Sequence, residues 1–188
     1  MVGTLTVQNL QGPSSGANAN KIVIPSGQTL YAAGHVVQVV SENYGDRFTT
    51  TSSSMTSSPL TATITPTSAS SKILVSVSAM LGSGTGSVSM QWQVRRGSTD
   101  VVAPNTSQTL SSRNEAFMGF PSGDTNVTLT NTAAVLDSPS SSSSVTYTVY
   151  IKGQTGNTAT MNGSYSNADN SGYGHVGSST ITLMEIAQ

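Results

Sequence analysis

The chain has 188 residues, a formal charge of −1, 8% charged side chains and no cysteine, so neither a disulfide framework nor a thiolate metal site can form. Seven Lys and Arg are spread against eight acids, with Arg95–Arg96 the only local cluster, which argues against a nucleic-acid-binding face. Serine and threonine supply roughly three residues in ten, well above ordinary usage, but near-zero net charge and apolar residues gathered in blocks point to a folded chain.

Residues 1–35 are predicted to form an N-terminal β-rich assembly arm. Two short strand candidates, TLTVQ (4–8) and NKIVI (20–24), are joined by a Gly, Pro and Ser connection. Together they carry too few apolar residues to close a core. Such a segment becomes ordered when copies pack around a common axis or when it docks on a larger partner. MVGTLTVQNL lacks the basic and apolar regions of a signal peptide, and no run approaches the ~18 apolar residues of a membrane span, so neither is expected.

Residues 36–188 are predicted to form one all-β domain. Candidate strands follow at 35–40, 46–51, 60–65, 72–81, 87–96, 114–120, 131–137, 145–152 and 179–187. In the clearest of them Val145, Tyr147, Val149 and Ile151 share one face, and Thr146, Thr148, Tyr150 and Lys152 share the other, the period-2 pattern of a strand buried on one side. Ile73, Val75, Val77, Ala79 and Leu81 alternate in the same way, as do Val88, Met90, Trp92 and Val94. Trp92 is therefore a core residue. No segment shows a helical period. Turn-rich clusters at 82–86, 121–126, 138–144 and 163–179 separate the strands, which gives an antiparallel β-sandwich, jelly-roll-like, with the serine tract 138–144 as a rim loop.

Three pattern matches have bland readings. GPSSG (12–16) fits a nucleophile elbow, but no helix follows and the histidines are only His35 and His175. GYGHVG (172–177) fits a dinucleotide fingerprint without a βαβ unit around it. NADNSG (167–172) repeats the early spacing of a calcium loop, but the acid required at the twelfth position is Ser178. Nothing in the sequence pairs Glu115, Asp124 or Asp137 as a glycosidase needs. Asn-x-Ser/Thr triplets at Asn105, Asn126 and Asn162 arise by composition. No enzyme activity, cofactor or metal is expected.

The stretches NKIVIPSGQTL, HVVQVVS, LTATITPTSASSKILVSVSA, RRG, VLDSP, VTYTVYIK and STITLMEI together resemble tail-fibre and related virion structural proteins of tailed bacteriophages, marine and cyanobacterial ones especially. The resemblance covers nearly the whole chain and rests on architectural motifs. It implies a homotrimeric, β-rich appendage exposed on the virion, attached through its arm to other virion proteins. Such an appendage would contact host glycan or lipopolysaccharide as a fibre tip, or stabilise the head as a capsid decoration. No site residue carries over. For receptor contact the loop 163–177 is the first candidate, with Tyr165, Tyr173 and His175 offering flat faces and Asn167, Asp169 and Asn170 offering hydrogen bonds. A plain solvated loop and an inter-subunit contact stand beside that reading. Tyr44 is a lesser candidate.

Overall fold

The computed structural model describes residues 8, 10–26, 28, 32–84, 88–101, 118–122, 125–154, 157–170, 172 and 174–188, with backbone only at 88, 89 and 118–122. The chain divides into two compact units, 1–32 and 33–188. The second unit contains all the described strands: β1 (Val36–Tyr44), β2 (Phe48–Thr50), β3 (Thr56–Ile64), β4 (Lys72–Ser83), β5 (Val88–Arg96), β6 (Thr99–Asp100), β7 (Met118–Ser122), β8 (Thr128–Asp137), β9 (Val145–Gly153), β10 (Ala159–Met161) and β11 (Ser179–Ile186). No helix occurs among the described residues, and none is therefore long and apolar enough to cross a membrane.

Every ladder is antiparallel. Among the eight long strands the first pairs with the last (β1:β11), the second with the seventh (β3:β9), the third with the sixth (β4:β8) and the fourth with the fifth (β5:β7). That is the pairing of one long hairpin folded back on itself. Two further ladders, β4:β11 and β5:β9, roll the hairpin into two sheets, β1–β11–β4–β8 and β3–β9–β5–β7. The result is a jelly roll. The short strands extend it: β10 continues the β11 side of β4 and carries β2 beside it. β6 turns back along β5 through Gly97, whose positive φ of 59° suits the first position of a two-residue hairpin turn.

Period-2 alternation sends one face of each sheet inward. Ile73, Val75, Val77, Ala79, Leu81, Ile181 and Leu183 oppose Leu60, Ala62, Ile64, Tyr147, Val149, Ile151, Met90, Trp92 and Val94, all of them buried. The second strand of the sandwich begins at Thr56 and not at residue 60, since Pro59 can sit only on an edge such as β3; there the ladder bulges, and the Ser58 hydroxyl bonds the Val149 carbonyl. Strands β6 and β10, of two and three residues, are too short to show a period.

The ladders define two poles. At the proximal pole Val36, Ile186, Lys72 and Asp137 lie side by side, and the chain joins the sandwich there through Gly34 N–H to Ala187 O (2.8 Å) and Ala187 N–H to His35 O (2.9 Å). The serine tract also lies at this pole, connecting β8 to β9 with Pro139 buried beneath mostly exposed serines. In the arm, 20–24 is not the strand expected from its composition: Asn20 closes a turn on Pro13 O with φ 58°, and 21–24 have no ladder partner among the described residues. An apolar triplet alone cannot supply the second strand it needs. TLTVQ lies outside the described residues except for Gln8.

Polar side chains close the proximal pole. Asp137 accepts from Arg96 Nε (2.7 Å) and from the Tyr147 hydroxyl (2.7 Å), linking the two sheets. Burial, and then the carboxylate beside it, push the Tyr147 phenol well above its ordinary pKa. Glu185 is fully buried, yet Oε1 accepts from Thr67 N–H (2.8 Å) and Oγ1 (2.7 Å) and Oε2 from Gln38 Nε2 (2.6 Å). Burial alone would raise its pKa, but the bonds led by Gln38 and Thr67 outweigh it and hold the carboxyl below the usual range. A depressed folded pKa contributes stability above the unfolded value, lost as pH falls through the folded one. Glu185→Gln is therefore expected to lower stability by about 1–2 kcal/mol near pH 6. In urea titrations the gap to the parent protein should narrow as pH drops below about 4.5; a gap unchanged down to pH 3 would mean that Glu185 is not bound as a carboxylate.

Candidate functional site

The opposite, distal pole is where β1 ends at Tyr44, β4 at Ser83 and β9 at Gly153, and where β8 and β11 begin. Segment 162–178 runs from β10 to β11 across this end. A three-residue strand offers little ladder to hold so long a connection, and side chains supply the rest.

Asn162 is the anchor. It adopts φ 63°, a conformation that asparagine tolerates better than most residues, and it is almost fully buried. Its Nδ2 donates to Tyr44 O (2.7 Å) and Asp46 O (3.0 Å), its Oδ1 accepts from Ser179 Oγ (2.6 Å), and its own N–H reaches Met80 O (2.9 Å). One residue thereby ties the β1–β2 turn, β4 and the start of β11 together, β4 through its backbone N–H and the others through its side-chain amide. Arg47 adds a strap, donating from Nε and Nη2 to Ser164 O (3.3 and 3.2 Å) and from Nη2 to Tyr165 O (3.2 Å). Ser166 completes the attachment through its N–H to Thr125 O (3.0 Å) and its Oγ to Asn126 Oδ1 (2.6 Å).

Beyond this base the predicted contact residues divide. Tyr165 lays its ring on Gly84, where a Cβ would come within 2.8 Å of the ring, and leaves 38% of itself exposed. Asn170 turns its side-chain oxygen back to Gly172 N–H (2.8 Å), and its carbonyl takes Gly174 N–H (2.6 Å). Asn167, with φ 47°, Asp169 and His175 are exposed. Among the described residues no hydrogen bond joins the side chains of Tyr165, Asn167, Asp169, Asn170 and His175. Tyr173 lies outside the described residues. The loop thus presents a row of separate polar groups above a fixed base. Tyr44 is half-buried, packed in part against the core.

Residues 12–20 form turns, with Ala19 N–H on Gly16 O (3.0 Å), and GYGHVG lies between a loop and β11 without a helix. No group of three or more His, Cys, Asp or Glu that could hold a metal occurs among the described residues. Asn162, read from its triplet as a chance match, has its amide fully engaged; Asn105, Glu115 and Asp124 lie outside the described residues. The anchoring roles of Asn162 and Arg47 were missed. The available signal was the Asn162–Gly163 pair directly after a short apolar run, a composition suited to left-handed backbone.

No protein-family model matches this sequence, and no curated protein is significantly similar to it.

If Asn162 holds the distal pole, Asn162→Ala should cost about 2–4 kcal/mol, from three lost side-chain bonds and a strained φ. Hydrogen exchange should accelerate across 44–47 and 163–179 and stay slow in the β5:β9 ladder. Asn162→Gly, which keeps the backbone conformation, should fall between the two. Uniform acceleration over the whole sandwich would contradict a local anchor.

Proposed function

We propose that the protein is a structural subunit of a bacteriophage particle, a homotrimeric tail fibre or fibre-tip appendage that contacts the host surface with its distal pole. The observation that carries this reading is a flat apolar row on the outer face of the β1–β11–β4–β8 sheet. Val39, Met184, Leu74 and Leu136 are cross-strand neighbours in register over all four strands, a span of ~14 Å. Val39 and Leu136, at its ends, are 55% and 53% exposed. Val36 and Ile186 border the row on the proximal side with Lys72. Toward the distal pole the same face changes to Ser41, Thr182, Ser76 and Ala134, then Asn43, Thr180, Ser78 and Thr132.

Apolar side chains aligned across a whole sheet face are what a subunit contact buries, and the occupant is a second copy of this chain. The row lies at the pole where the chain joins the sandwich, so association there keeps the joining segments of all copies at one end and leaves the hydroxyl and amide loops free at the other. The resemblance to phage appendage proteins supports the trimeric state and the virion address. It also supports the arm as the part that meets other virion proteins. That the exposed distal side chains do not converge on one another favours a second reading, a capsid decoration protein that stabilises the head and presents an inert pole.

Gold-labelled antibody against the chain on intact particles separates the two: label at the tail supports the appendage, and label over the facets supports the decoration. For the contact itself, Leu74→Lys with Leu136→Lys should reduce the mass in sedimentation equilibrium from three subunits to one while the circular dichroism stays β. Thr132→Lys, on the hydroxyl half of the same face, should leave the mass unchanged. A trimer that survives the double substitution would remove this face from the contact.

A further inference from the structure

The outer face of the other sheet carries a second feature, independent of the apolar row. Outward-facing positions of a sandwich strand are normally wet, yet Gln91 and Gln93 on β5 are only 6% and 5% exposed. Beside them a cleft of ≈ 320 Å³ is lined, among the described residues, by Gln93, Arg95, Asp100 and Lys152 and by Ser53, Ser54 and Met55. In a chain with seven basic residues in all, two of them line this one recess on adjacent strands.

The arrangement is ordered in advance of any ligand. The β5–β6 turn at Gly97 brings Asp100 opposite Arg95. One oxygen, Asp100 Oδ1, then accepts from both Arg95 Nε (2.7 Å) and Gln93 Nε2 (2.8 Å). The Arg95 guanidinium lies over the Tyr150 ring, 4.7 Å from its centre. Held along its Nε edge by a carboxylate and beneath by an aromatic face, the guanidinium cannot swing, while its terminal nitrogens carry no hydrogen bond among the described residues. Fixing a long cationic side chain before binding removes much of the entropy that recognition would otherwise cost. Lys152 brings a second cationic side chain to the lining, and Asp100, the one carboxylate among the described residues of the cleft, is already engaged. One strand position from Gln93 on the same face, and level with Lys152, Gln91 has a buried Oε1 without a partner among the described residues.

We propose that this cleft binds a carboxylate-bearing saccharide. A planar carboxylate matches the free fork of the guanidinium, with Lys152 adding attraction. Neutral donors and acceptors, the Gln93 amide and the Ser53 and Ser54 hydroxyls, suit sugar hydroxyls, and the Met55 side chain offers an apolar surface to the C–H face of a ring. A bare phosphate or sulfate would use the two cations and leave the neutral wall idle. The proposal stands on the cleft alone and holds wherever the protein is mounted.

The test is calorimetric and ligand-observed NMR titration of the full chain with an oligogalacturonate, its methyl ester and inorganic phosphate at low salt. Saturable binding of the free acid is expected, at least tenfold tighter than the methyl ester and tenfold weaker after Arg95→Gln or Lys152→Gln. Asn167→Ala with Asp169→Ala, at the distal pole, should leave it unchanged, which keeps this site distinct from a host contact at the pole. Equal affinity for acid and ester, binding indifferent to both flank substitutions, or displacement by phosphate at similar concentration would overturn the proposal. Should Arg95→Gln fail to fold, as judged by circular dichroism, Lys152→Gln and the ester comparison still decide.

Discussion

The structure depends on one long-range closure: β1 must pair with β11, although Ser41 and Thr182, facing each other at 2.9 Å between hydroxyl oxygens, are 141 residues apart in the chain. Until that ladder forms, the β1–β11–β4–β8 sheet has a free edge at β11 and the inner faces of Ile181 and Leu183 lack their neighbours. Closing so large a loop costs chain entropy before it returns contacts, which makes this a slow-folding topology in kind. Its consequence for the molecule is geometrical. With the first and last strands side by side, the chain joins and leaves the sandwich at one pole, and the other pole is made only of connections.

Each pole is then closed by a different polar device, a buried side chain met by several hydrogen-bond partners. At the proximal end Asp137 gathers Arg96 and Tyr147, and Glu185 gathers Gln38 and Thr67. At the distal end the same service falls to Asn162, a neutral group that donates twice and accepts once. A buried amide with three partners avoids the desolvation that a charge would suffer in that position. Fixed poles matter for an assembling protein, because the proposed subunit face and the distal loops keep a constant orientation only if the slab between them does not shear.

Where burial alone dictated structure, the sequence was transparent. Tyr147, Val149 and Ile151 occupy the inner face that their alternation predicts, as do Ile73 through Leu81 and Trp92. Pairing was less visible: Pro59 masked the first half of β3, and β6 and β10 are defined by neighbours remote in sequence. NKIVI shows the converse, an apolar triplet with strand composition and no partner strand among the described residues. Of the candidate site, the sequence indicated a turn-rich polar loop at 163–177, but not its dependence on Asn162 and Arg47, since bonds to backbone carbonyls leave no trace in composition. Glu185 was within reach: counting by twos from Ile181 and Leu183 puts a carboxylate on the buried face, which requires hydrogen-bond donors to meet it. The flank cleft depends on Asp100 turning back beneath Arg95, and a two-residue strand gives no warning of that.

The absence of cysteine makes the closure directly measurable. In the doubly substituted chain Ser41→Cys with Thr182→Cys, mild oxidation should produce an intrachain disulfide in high yield, with β circular dichroism retained. Because the bridge closes a loop of well over 100 residues, stability in urea should rise by about 4 kcal/mol. Failure of the bridge to form in the folded protein, or its appearance only between chains, would show that the first and last strands are not partners within one sandwich.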